Sequence, residues 1–590
     1  MQQKWVVKNK KADFDAICKE QNITEVTARL LVNRGLLTKE ERDAFLHPSL
    51  LALIKPELLR NADAAADMLA EDITAGRKIR IIGDYDVDGI VAVYLLYRTL
   101  CVAGAKVDYR IPDRIRDGYG MNAEMVEESL RDGIQTILTC DNGIAATEPI
   151  RRATEAGIRV VLTDHHEVPV EETPDGVRQV LPPADVIVNP KQDGETTPFP
   201  NICGAYVAYK VMCCLAKKMG IPDTFMQGLL PYVAMATVCD VMELRGENRA
   251  VVALGLEGMK NCKDNGICAL IEENQLNKEN LSGYHFGFVL GPCLNASGRL
   301  DTAEKGLALL LAENPAVAAT LAKEVTQLNA VRKDMTMQYV RECREYFLTQ
   351  ERLEPVLVAY LPECHESLAG IIAGRIREQF YRPAIVLTDA EDGCKGSGRS
   401  IDGYHMYEAL CECKDLLTKF GGHPKAAGLS LPRENVELFR KRLVEQCRLT
   451  EEELTEKISI DVVLPFGLVT EQVIDELSLL EPFGTGNEKP LFAERNLKVK
   501  KAMVLGKNAN VLKLFVENEY GRQFETMYFG DIAAFDESVT VAFGKSELDK
   551  MYQGRENKVC FSMIYYPDKN EFRGNVTLQA VMRDYKMAVL

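Results

Sequence analysis

Long apolar runs are missing from this sequence of 590 residues. No uninterrupted apolar stretch approaches the ~20 residues that a membrane-spanning helix needs. The first residues, "MQQKWVVKNKKADF", lack the apolar core of a secretory signal peptide. We therefore expect a cytoplasmic protein without a membrane partner.

Paired cysteines are also missing, although the sequence holds 17 cysteines. No two of them form a C-x-x-C pair with the spacing of a zinc site or a disulfide framework. Many stand inside apolar segments such as "VMCCLAKK", so we expect reduced and mostly buried thiols. Cys411 and Cys413, in the segment "CEC", could bind a metal, but we favour the interpretation that they lie near each other on a helix surface by coincidence.

An excess of positive charge is the third absence. Lys and Arg number 71 against 87 Asp and Glu, which gives a net charge of 71 − 87 = −16. A uniformly acidic surface repels nucleic acid, so a nucleic-acid partner would require a locally basic groove. The length predicts roughly three or four domains.

Clustered carboxylates are what the sequence does have. Residues 81–90, "IIGDYDVDGI", place Asp84, Asp86 and Asp88 two positions apart. This spacing also opens an EF-hand calcium loop, but the position that needs a bidentate glutamate holds Leu95. The preceding "KIRII" is typical of a strand and the following apolar run of a buried helix. The pattern therefore predicts a strand that ends in a carboxylate cluster, where open α/β sheets bind ligands.

The same arrangement recurs downstream. The apolar run of "QTILTCDNGI" ends at Asp141, and that of "IRVVLTDHHEVP" ends at Asp164, His165 and His166. A further candidate strand is "ADVIVNPK", and helical segments lie between these strands. Near-continuous apolar strands that alternate with helices predict a parallel sheet covered on both faces. Because the carboxyl ends of parallel strands share one edge, we expect a single site, completed by Asp240 from the end of an apolar helical segment.

The rest of the chain predicts three further parts. Residues 303–350 are rich in alanine, leucine and charge, which is typical of a long linker helix or a helix pair. A second α/β domain is expected over 351–455, with "PVLVAY" and "PAIVLTD" as strands. Residues 456–590 alternate short strands with turns, which indicates a small β-barrel. Residues 1–302 then comprise an N-terminal segment and the first α/β domain.

Aspartates mixed with histidines suit Mn²⁺ or Mg²⁺ better than zinc. Several carboxylates packed together stay ionised only with cations between them. Two divalent ions bridged by one aspartate are a typical centre for hydrolysis of phosphate esters. Glycine-marked segments of the second half offer groups that bind phosphate. These groups are Asn295, Arg299, His365, Ser397, Arg399, Gly421, Gly422 and His423.

Together these motifs resemble the DHH phosphoesterase superfamily. "GDYDVDG", "CDNG", "TDHH" and Asp240 are similar to its four motifs, and "FGGHPKAAG" is similar to the motif of its DHH-associated domain. "GPCLNASGRL", "GSGRSIDG" and "EPFGTGNEKPLF" resemble segments of the RecJ family of bacterial single-strand-specific 5′ exonucleases. The resemblance implies a parallel-sheet DHH domain, a long linker helix, an α/β DHH-associated domain and a C-terminal OB-like barrel that binds nucleic acid.

The resemblance also implies roles for the matched residues. His166 would face the scissile phosphate, Asp164 would orient a neighbouring imidazole, and His423 would bind a phosphate near the cleavage point. Tyr119 would stack on a base. The metal ligands would be Asp84, Asp86, Asp88, Asp141, His165 and Asp240, with Asp141 as the bridge and Asp84 at the margin. The group that holds the 5′ end would be Arg114, Arg299, Ser397 and Arg399.

The implied activity is metal-dependent hydrolysis of single-stranded DNA to nucleotides from the 5′ end, in DNA repair and recombination. Two Mn²⁺ ions are the expected cofactor, with Mg²⁺ as the other candidate, and a helicase or single-strand-binding protein is an expected partner. Two other functions remain open. One is a DHH phosphodiesterase of short oligonucleotides or cyclic dinucleotides, and the other is an inactive scaffold that binds single-stranded nucleic acid.

The sequence departs from the family pattern at two places. Ile82 stands where many superfamily members carry a histidine, which puts the strength of one metal site in question. Cys364 precedes His365 where RecJ proteins usually have a tryptophan. Cys140 and Cys239 each precede an expected ligand, and they are interpreted as small buried apolar residues, with oxidation that disturbs the metal site as the alternative.

Overall fold

The computed structural model describes residues 3–174, 176–506, 509–572 and 575–588. The chain divides into two compact units. The first spans Ser49–Glu456, and the second combines Gln3–Pro48 with the chain from Lys457 onward.

The first unit contains a five-stranded parallel sheet. Its strands, in spatial order, are Lys106–Arg110, Lys78–Ile82, Thr136–Cys140, Arg159–Thr163 and Val186–Val188. Four of them coincide with the apolar runs that predict strands, because helices cover both faces of a parallel sheet. The strand Lys106–Arg110 lies at the edge, and its charged sequence "KVDYR" carries no comparable signal. A separate hairpin pairs Val170–Thr173 with Gly176–Gln179.

Helices surround this sheet and extend beyond it. They are Ala62–Thr74, Val87–Val102, Ala123–Arg131, Thr147–Glu155, Gly204–Met219, Asp223–Cys239, Gly246–Lys260, Asn265–Glu273, Gly283–His285 and Gly291–Leu300, with a π-helical segment at Phe286–Leu290 and short 3₁₀ turns at Leu50–Ala52, Pro56–Leu58 and Lys278–Asn280. Asp86 begins the helix Val87–Val102 by accepting hydrogen bonds from the backbone N–H groups of Asp88 and Gly89. That helix is apolar almost all round, and it packs between the sheet and Gly204–Met219.

Two helices, Glu304–Leu310 and Pro315–Leu348, occupy the predicted linker. The side chain of Asn314 accepts hydrogen bonds from the backbone N–H groups of Ala316 and Val317, and proline takes the first helical position. No glycine or proline follows within this helix, so nothing interrupts it before Leu348.

The second α/β part of this unit has a five-stranded mixed sheet. Its strands, in spatial order, are Lys419–Gly422, Ala426–Leu431, Gly393–Arg399, Ala384–Ala390 and Leu357–Tyr360, of which the last two are parallel. Its helices are Ala369–Phe380, Met406–Cys411 and Val436–Gln446, with 3₁₀ turns at Glu366–Leu368, Lys414–Leu416 and Arg433–Asn435. Both strands predicted here are confirmed.

The second unit is built on a closed five-stranded barrel, as expected. Its strands are Phe492–Leu505, Val511–Glu517, Gln523–Tyr528, Asn575–Met587 and Cys560–Phe572, and the first pairs with the last to close the barrel. The short strand Val462–Val463 extends it, and the accompanying elements are Glu471–Ser478, Ile532–Phe543, Lys545–Gln553 and the 3₁₀ turn Phe466–Leu468.

The N-terminal segment belongs to this second unit, which differs from its expected grouping with residues 1–302. The strand Lys4–Val7 pairs in parallel with Lys457–Ile460, a contact between distant parts of the sequence that no local pattern shows. Three helices follow it, Phe14–Gln21, Glu25–Asn33 and Lys39–Leu46, and their apolar residues share a core with the barrel.

All 17 cysteines are free, and most are buried or half-buried, as expected. Over the described residues, no helix combines the length and the apolar character that crossing a bilayer requires. Cys411 is the half-buried last residue of the helix Met406–Cys411, and Cys413 is buried just beyond it.

Candidate active site

Three neighbouring strands of the parallel sheet end at the same edge, and each is followed by a carboxylate. Lys78–Ile82 leads to Asp84, Thr136–Cys140 to Asp141, and Arg159–Thr163 to Asp164. None of these three aspartates is more than 2% exposed. The convergence predicted from the sequence is therefore present, and it brings buried negative charges together.

The Nε2 atom of His165 lies at the centre of the cluster. It is 3.2 Å from Asp141 Oδ1, 3.7 Å from Asp88 Oδ2 and 3.7 Å from Asp240 Oδ2. Asp240 immediately follows the helix Asp223–Cys239, and its side chain is 26% exposed, so solvent reaches this side of the cluster. Three carboxylates around one imidazole nitrogen form a set of ligand atoms for a divalent cation.

Three overlapping groups of side chains could hold a metal ion, with their ligand atoms within 4.8 Å of one another. The groups are Asp88 with His165 and Asp240, Asp84 with Asp86 and Asp141, and Asp141 with His165 and His166. Within the described structure, Asp84 Oδ1 and Asp141 Oδ1 are buried without a hydrogen-bond partner. A buried oxygen without a partner is costly unless a cation binds it, so the residues present fit a divalent metal.

The electrostatics of the cluster agree with this. Burial raises the pKa of Asp84 and Asp141 well above the ordinary carboxyl value, and neighbouring aspartates raise it further. Burial raises the pKa of Asp240 well above the ordinary carboxyl value, and the carboxylate of Asp88 raises it further. Burial likewise raises the pKa of Asp86. The protein alone thus disfavours the fully ionised cluster, which bound cations would favour.

Two of the expected ligands also contact backbone N–H groups. Asp86 Oδ1 accepts hydrogen bonds from Asp88 N and Gly89 N at the start of the helix. Asp88 accepts from Gly204 N at 2.7 Å and from Ala205 N at 2.9 Å. These bonds fix the direction of both carboxylates toward the cluster.

Asp141 has a backbone φ of 61°, a conformation uncommon for a residue other than glycine. A Cβ at Gly204 would lie 2.6 Å from Asp141 Oδ1, so only glycine leaves space there. The strained backbone and the missing side chain together define the position of this carboxylate.

Asp164 belongs to none of the three metal-ligand groups, but it contacts two of their members, His165 through its backbone N–H and His166 through its imidazole. Its Oδ1 lies 2.7 Å from His166 Nδ1, and Oδ2 accepts a hydrogen bond from Ile144 N at 2.9 Å. Burial opposes ionisation of Asp164, but the hydrogen bond and charge of His166, together with the hydrogen bond from Ile144 N and the charge of His165, lower its pKa below the usual value. Burial also opposes the charged form of His166, yet Asp164 raises the pKa of that imidazole. His165 differs, because burial lowers its pKa and so favours the neutral imidazole.

Tyr119 lies beside His166. Its hydroxyl donates to the Asp141 carbonyl oxygen at 2.9 Å and is 3.0 Å from His166 Nδ1. Its ring is half exposed and meets the ring of Tyr85 edge-on at 6.4 Å. The expected role of Tyr119 was stacking of its ring on a base. The structure adds that its hydroxyl binds at the carboxylate and histidine cluster.

A cavity of about 770 Å³ adjoins the cluster within the first unit. Tyr85, which stands between Asp84 and Asp86 in the chain, is part of its lining. Five expected substrate-binding residues line it as well, namely Arg114, Arg299, Ser397, Arg399 and Gly421. The guanidinium of Arg114 stacks 4.4 Å from the centre of the Tyr85 ring. Burial, followed by the charge of Arg114, lowers the pKa of Arg299 to about 9.

The guanidinium groups here are positioned by neutral partners. Arg299 donates to the Ser367 carbonyl oxygen at 2.7 Å, and Arg399 donates to Ser397 Oγ at 2.9 Å. Among the ion pairs formed by the described residues, none includes Arg114, Arg299 or Arg399. Such cations, close together and without carboxylate partners, are suited to a phosphate group.

The other expected substrate residues lie outside this lining. His423 is exposed in the loop after Lys419–Gly422, and His365 uses Nδ1 to contact Ser367 Oγ at 2.8 Å. Gly422 has an exposed position at the end of that strand. Asn295 accepts a hydrogen bond from Val87 N at 3.1 Å and thereby supports the helix that carries Asp88.

Several residues at the site were not singled out from the sequence. Lys395 and Lys419 line the cavity. The buried Asn142 donates to the carbonyl oxygens of Ile82 and Cys140 and accepts from Met121 N, so it ties two strand ends to the loop that bears Tyr119. Asn142 could have been identified from the sequence, because it stands inside the "CDNG" motif.

Ile82, which departs from the family pattern, and the two cysteines that precede expected ligands lie in largely buried positions. Ile82 is fully buried in an apolar cluster with Met121 and Val126. Cys140 is fully buried, and the Cys239 thiol donates to the Phe286 carbonyl oxygen. Burial raises the pKa of both thiols, which favours the interpretation as small apolar residues.

Comparison with known families agrees with this geometry. The DHH family N-terminal domain matches residues 78–237, and the DHHA1 domain matches residues 353–449. Fold and family matches thus define a protein of the DHH class. A third family, the RecJ OB domain, matches residues 460–584.

The single-stranded-DNA-specific exonuclease RecJ of Bacillus subtilis (strain 168) is 36% identical over 521 residues, which is 88% of this chain and 64% of that protein. This chain thus spans just under two thirds of the Bacillus protein. The exonuclease of the same name from Escherichia coli (strain K12) is 32% identical over 579 residues, with 94% of each chain covered. The chain belongs to the RecJ family.

Solved structures of RecJ from Thermus thermophilus have the same fold. The complex with Mn²⁺ has a TM-score of 0.80 at 27% identity and covers 99% of this chain and 79% of that one. The complex with Mg²⁺ has a TM-score of 0.75 at 25% identity and covers 99% and 78%.

Proposed function

We propose that this protein is a metal-dependent exonuclease that degrades single-stranded DNA to nucleotides from the 5′ end, in DNA repair and recombination. The observation that carries the proposal is the buried carboxylate and histidine cluster beside a cavity lined by guanidinium groups that form no ion pair with a described carboxylate. The names of the RecJ relatives support the substrate and the reaction. Tyr85 connects the two parts of the site.

The proposed cofactor is a pair of divalent ions, Mn²⁺ or Mg²⁺, with Mn²⁺ favoured by the imidazole ligand. One would be held by Asp88, His165 and Asp240, and the other by Asp84, Asp86 and Asp141. Divalent ions bound there supply Lewis acidity and lower the pKa of water. The metal complexes of Thermus RecJ support a divalent metal in this chain.

The remaining side chains would bind and orient the strand. The carboxylate of Asp164 holds His166 and raises the pKa of its imidazole, which favours a positive charge that would face the scissile phosphate. Arg114, Arg299 and Arg399 would bind the 5′ phosphate, since guanidinium groups pair with phosphate through two hydrogen bonds. His423, Gly422 and His365 keep their expected roles as proposals, although they lie outside the cavity lining.

The barrel would bind the strand downstream of the cleaved end. It exposes Tyr520 and Phe529, which are 81% and 62% exposed and offer rings on which bases can stack. The proposed division of the chain is a DHH domain within 1–302, linker helices at 303–350, a DHH-associated domain at 351–455 and the barrel at 456–590. Since an enzyme of this kind needs separated strands, we also propose a helicase or single-strand-binding protein as partner. We further propose a cytoplasmic location.

The test uses a long 5′-phosphorylated single strand labelled at its 3′ end, with Mn²⁺, and the Asp141→Asn variant. The native protein should give labelled products that shorten from the 5′ end, and the variant should give none. Asp67→Asn is the matched control, because it removes a carboxylate of the same unit whose partner is the surface residue Lys218. This control should retain full activity.

An intact strand with the native protein would reject the proposal. Degradation of a blunt duplex as fast as the single strand, with no helicase present, would reject its strand specificity. Activity retained by Asp141→Asn would separate the reaction from this metal site.

A further inference from the structure

Cys268 and Lys278 form an unusually close nitrogen–sulfur contact. Lys278 Nζ lies 2.9 Å from Cys268 Sγ. In the same unit, the amide nitrogen of Asn329 approaches Cys293 Sγ only to 3.4 Å, and the Tyr232 hydroxyl approaches Cys262 Sγ only to 3.9 Å. The lysine and the cysteine are therefore in closer contact than these ordinary hydrogen bonds to sulfur.

The surroundings leave the lysine without a carboxylate. Its Nζ also donates to the Cys262 carbonyl oxygen at 2.7 Å. No ion pair within the described part of the chain includes Lys278. Cys268 and Lys278 are both half-buried, so a small solute reaches them from solvent. The contact joins the helix Asn265–Glu273 to the turn Lys278–Asn280, and it lies outside the proposed active site.

We propose that Cys268 and Lys278 are an oxidative modification site, at which peroxide forms a covalent nitrogen–oxygen–sulfur bridge. The S–H bond and one N–H bond of the neutral amine break, and one S–O and one N–O bond form through a single oxygen atom. One thiol, one amine and two molecules of hydrogen peroxide give the bridge and three molecules of water. Sulfur and nitrogen each lose two electrons, and the two peroxides accept these four.

Geometry favours the bridge over the other products of thiol oxidation. The first peroxide converts the Cys268 thiol to a sulfenic acid and water. The second peroxide takes one hydrogen from this S–O–H group and one from the lysine amine as the oxygen bonds to nitrogen, and it leaves as two molecules of water. Two bonds through one oxygen span a separation close to the present contact, whereas a direct sulfur–nitrogen bond needs a much closer approach. The helix that carries Cys268 packs on the connecting helix Pro315–Leu348, so the bridge would fasten the turn at Lys278 to a supported element.

The competing product is a disulfide with Cys262. The Cys268 thiol donates to the Cys262 carbonyl oxygen at 3.5 Å, so these two cysteines are also neighbours. A disulfide contains no added oxygen and does not involve Lys278. The two products therefore differ in mass and in the residues they require.

The test treats the full-length protein with hydrogen peroxide, blocks the remaining thiols by alkylation and analyses peptides by mass spectrometry. A glutamate-specific protease cuts after Glu272 and Glu273, which separates Cys268 from Lys278 unless a bond joins them. We expect a joined pair of peptides with one oxygen more and two hydrogens fewer than their sum. A thiol reductant should restore the separate peptides, because it returns the four electrons.

Variants show which side chains form the bridge. Lys278→Arg keeps the positive charge but should abolish the joined pair, whereas Cys262→Ser should retain it. Lys260→Arg, at a lysine paired with Glu257 on the neighbouring helix, is the matched control and should also retain it. A joined pair without the added oxygen, its loss in Cys262→Ser, or only sulfenic and sulfinic acids on Cys268 of the native protein would overturn the proposal. Each outcome is independent of the proposed exonuclease activity.

Discussion

Replacing Gly370 by alanine should weaken substrate binding without unfolding the protein. A Cβ at this position would lie 2.7 Å from Arg399 Nη2 and 3.0 Å from Ser397 Oγ. Carbon atoms in contact prefer about 3.5–4.0 Å, so something must move. The nearest atom is the far end of a flexible side chain, and we expect Arg399 to turn away from the cavity.

The size of the effect follows from the interaction that is lost. A hydrogen bond to a charged group contributes about 1.5–3 kcal/mol, and about 1.4 kcal/mol corresponds to a tenfold change in affinity. The KM for a 5′-phosphorylated single strand should therefore rise about 10- to 100-fold. Replacing glycine by alanine within a helix gains up to about 1 kcal/mol of stability, so the melting temperature should not fall.

Gly374 gives a matched control one turn later on the same helix, Ala369–Phe380. No heavy atom lies within 4 Å of a Cβ built there, so Gly374→Ala should gain the same helical stability and leave KM unchanged. The assay compares 5′-phosphorylated with 5′-hydroxyl strands, and Gly370→Ala should reduce the preference for the phosphate. Equal KM values for the two alanine variants, with a raised KM in Arg399→Ala, would refute the reasoning.

Three further predictions concern the cluster and the barrel. Asp164→Asn should lower activity about 10- to 100-fold and lower the pKa of His166, because a neutral amide replaces the charged carboxylate that raises it; an unchanged imidazole titration by NMR would contradict this. With the metal removed by a chelator, the melting temperature should fall as the pH rises above about 4. Burial raises the pKa of Asp84, Asp141 and Asp240 in the folded protein, so the folded state binds protons that the unfolded state has already lost. Ionisation of these three carboxyls at higher pH therefore destabilises the folded protein. Mn²⁺ should stabilise more at high pH, and Asp141→Asn should flatten the dependence; a melting temperature that rises with pH over this range would contradict it. Finally, the single tryptophan, Trp5, donates to Asp584 Oδ2 at 2.6 Å in the second unit, so Asp584→Ala should shift its emission to longer wavelength, while Asp67→Asn should leave the spectrum unchanged.

The sequence predicts the centre of the fold well because burial leaves a clear pattern there. Strands covered on both faces are nearly continuous apolar runs, so a carboxylate at the end of such a run is conspicuous. The edge strand Lys106–Arg110 lacks this pattern, since half of its environment is solvent. The pairing of Lys4–Val7 with Lys457–Ile460 was also unpredictable, because residues so far apart in the chain share no local signal.

For the candidate site, the sequence identifies residue types better than their contacts. The residues that follow the strands, Asp84, Asp141 and His165, converge as predicted because strand direction brings them to one edge, and Asp240 joins them from the end of a helix. The hydroxyl of Tyr119 meets His166 through a loop whose course depends on tertiary packing. His423 and Arg399 are both marked by glycine-rich motifs, yet only Arg399 lines the cavity. Local motifs do not specify which side of a strand or loop faces a cleft.

The charge of the chain at first opposes a nucleic-acid substrate, and the arrangement of its cations resolves the conflict. With a net charge of −16, the long-range field repels DNA. Many surface lysines and arginines are neutralised by neighbours, as Lys218 is by Asp67. In the described structure, Arg114, Arg299 and Arg399 have no such ion pairs, and they share one cavity beside the carboxylate cluster. Binding should therefore depend on a few close phosphate contacts, so single arginine substitutions should matter more than the overall charge.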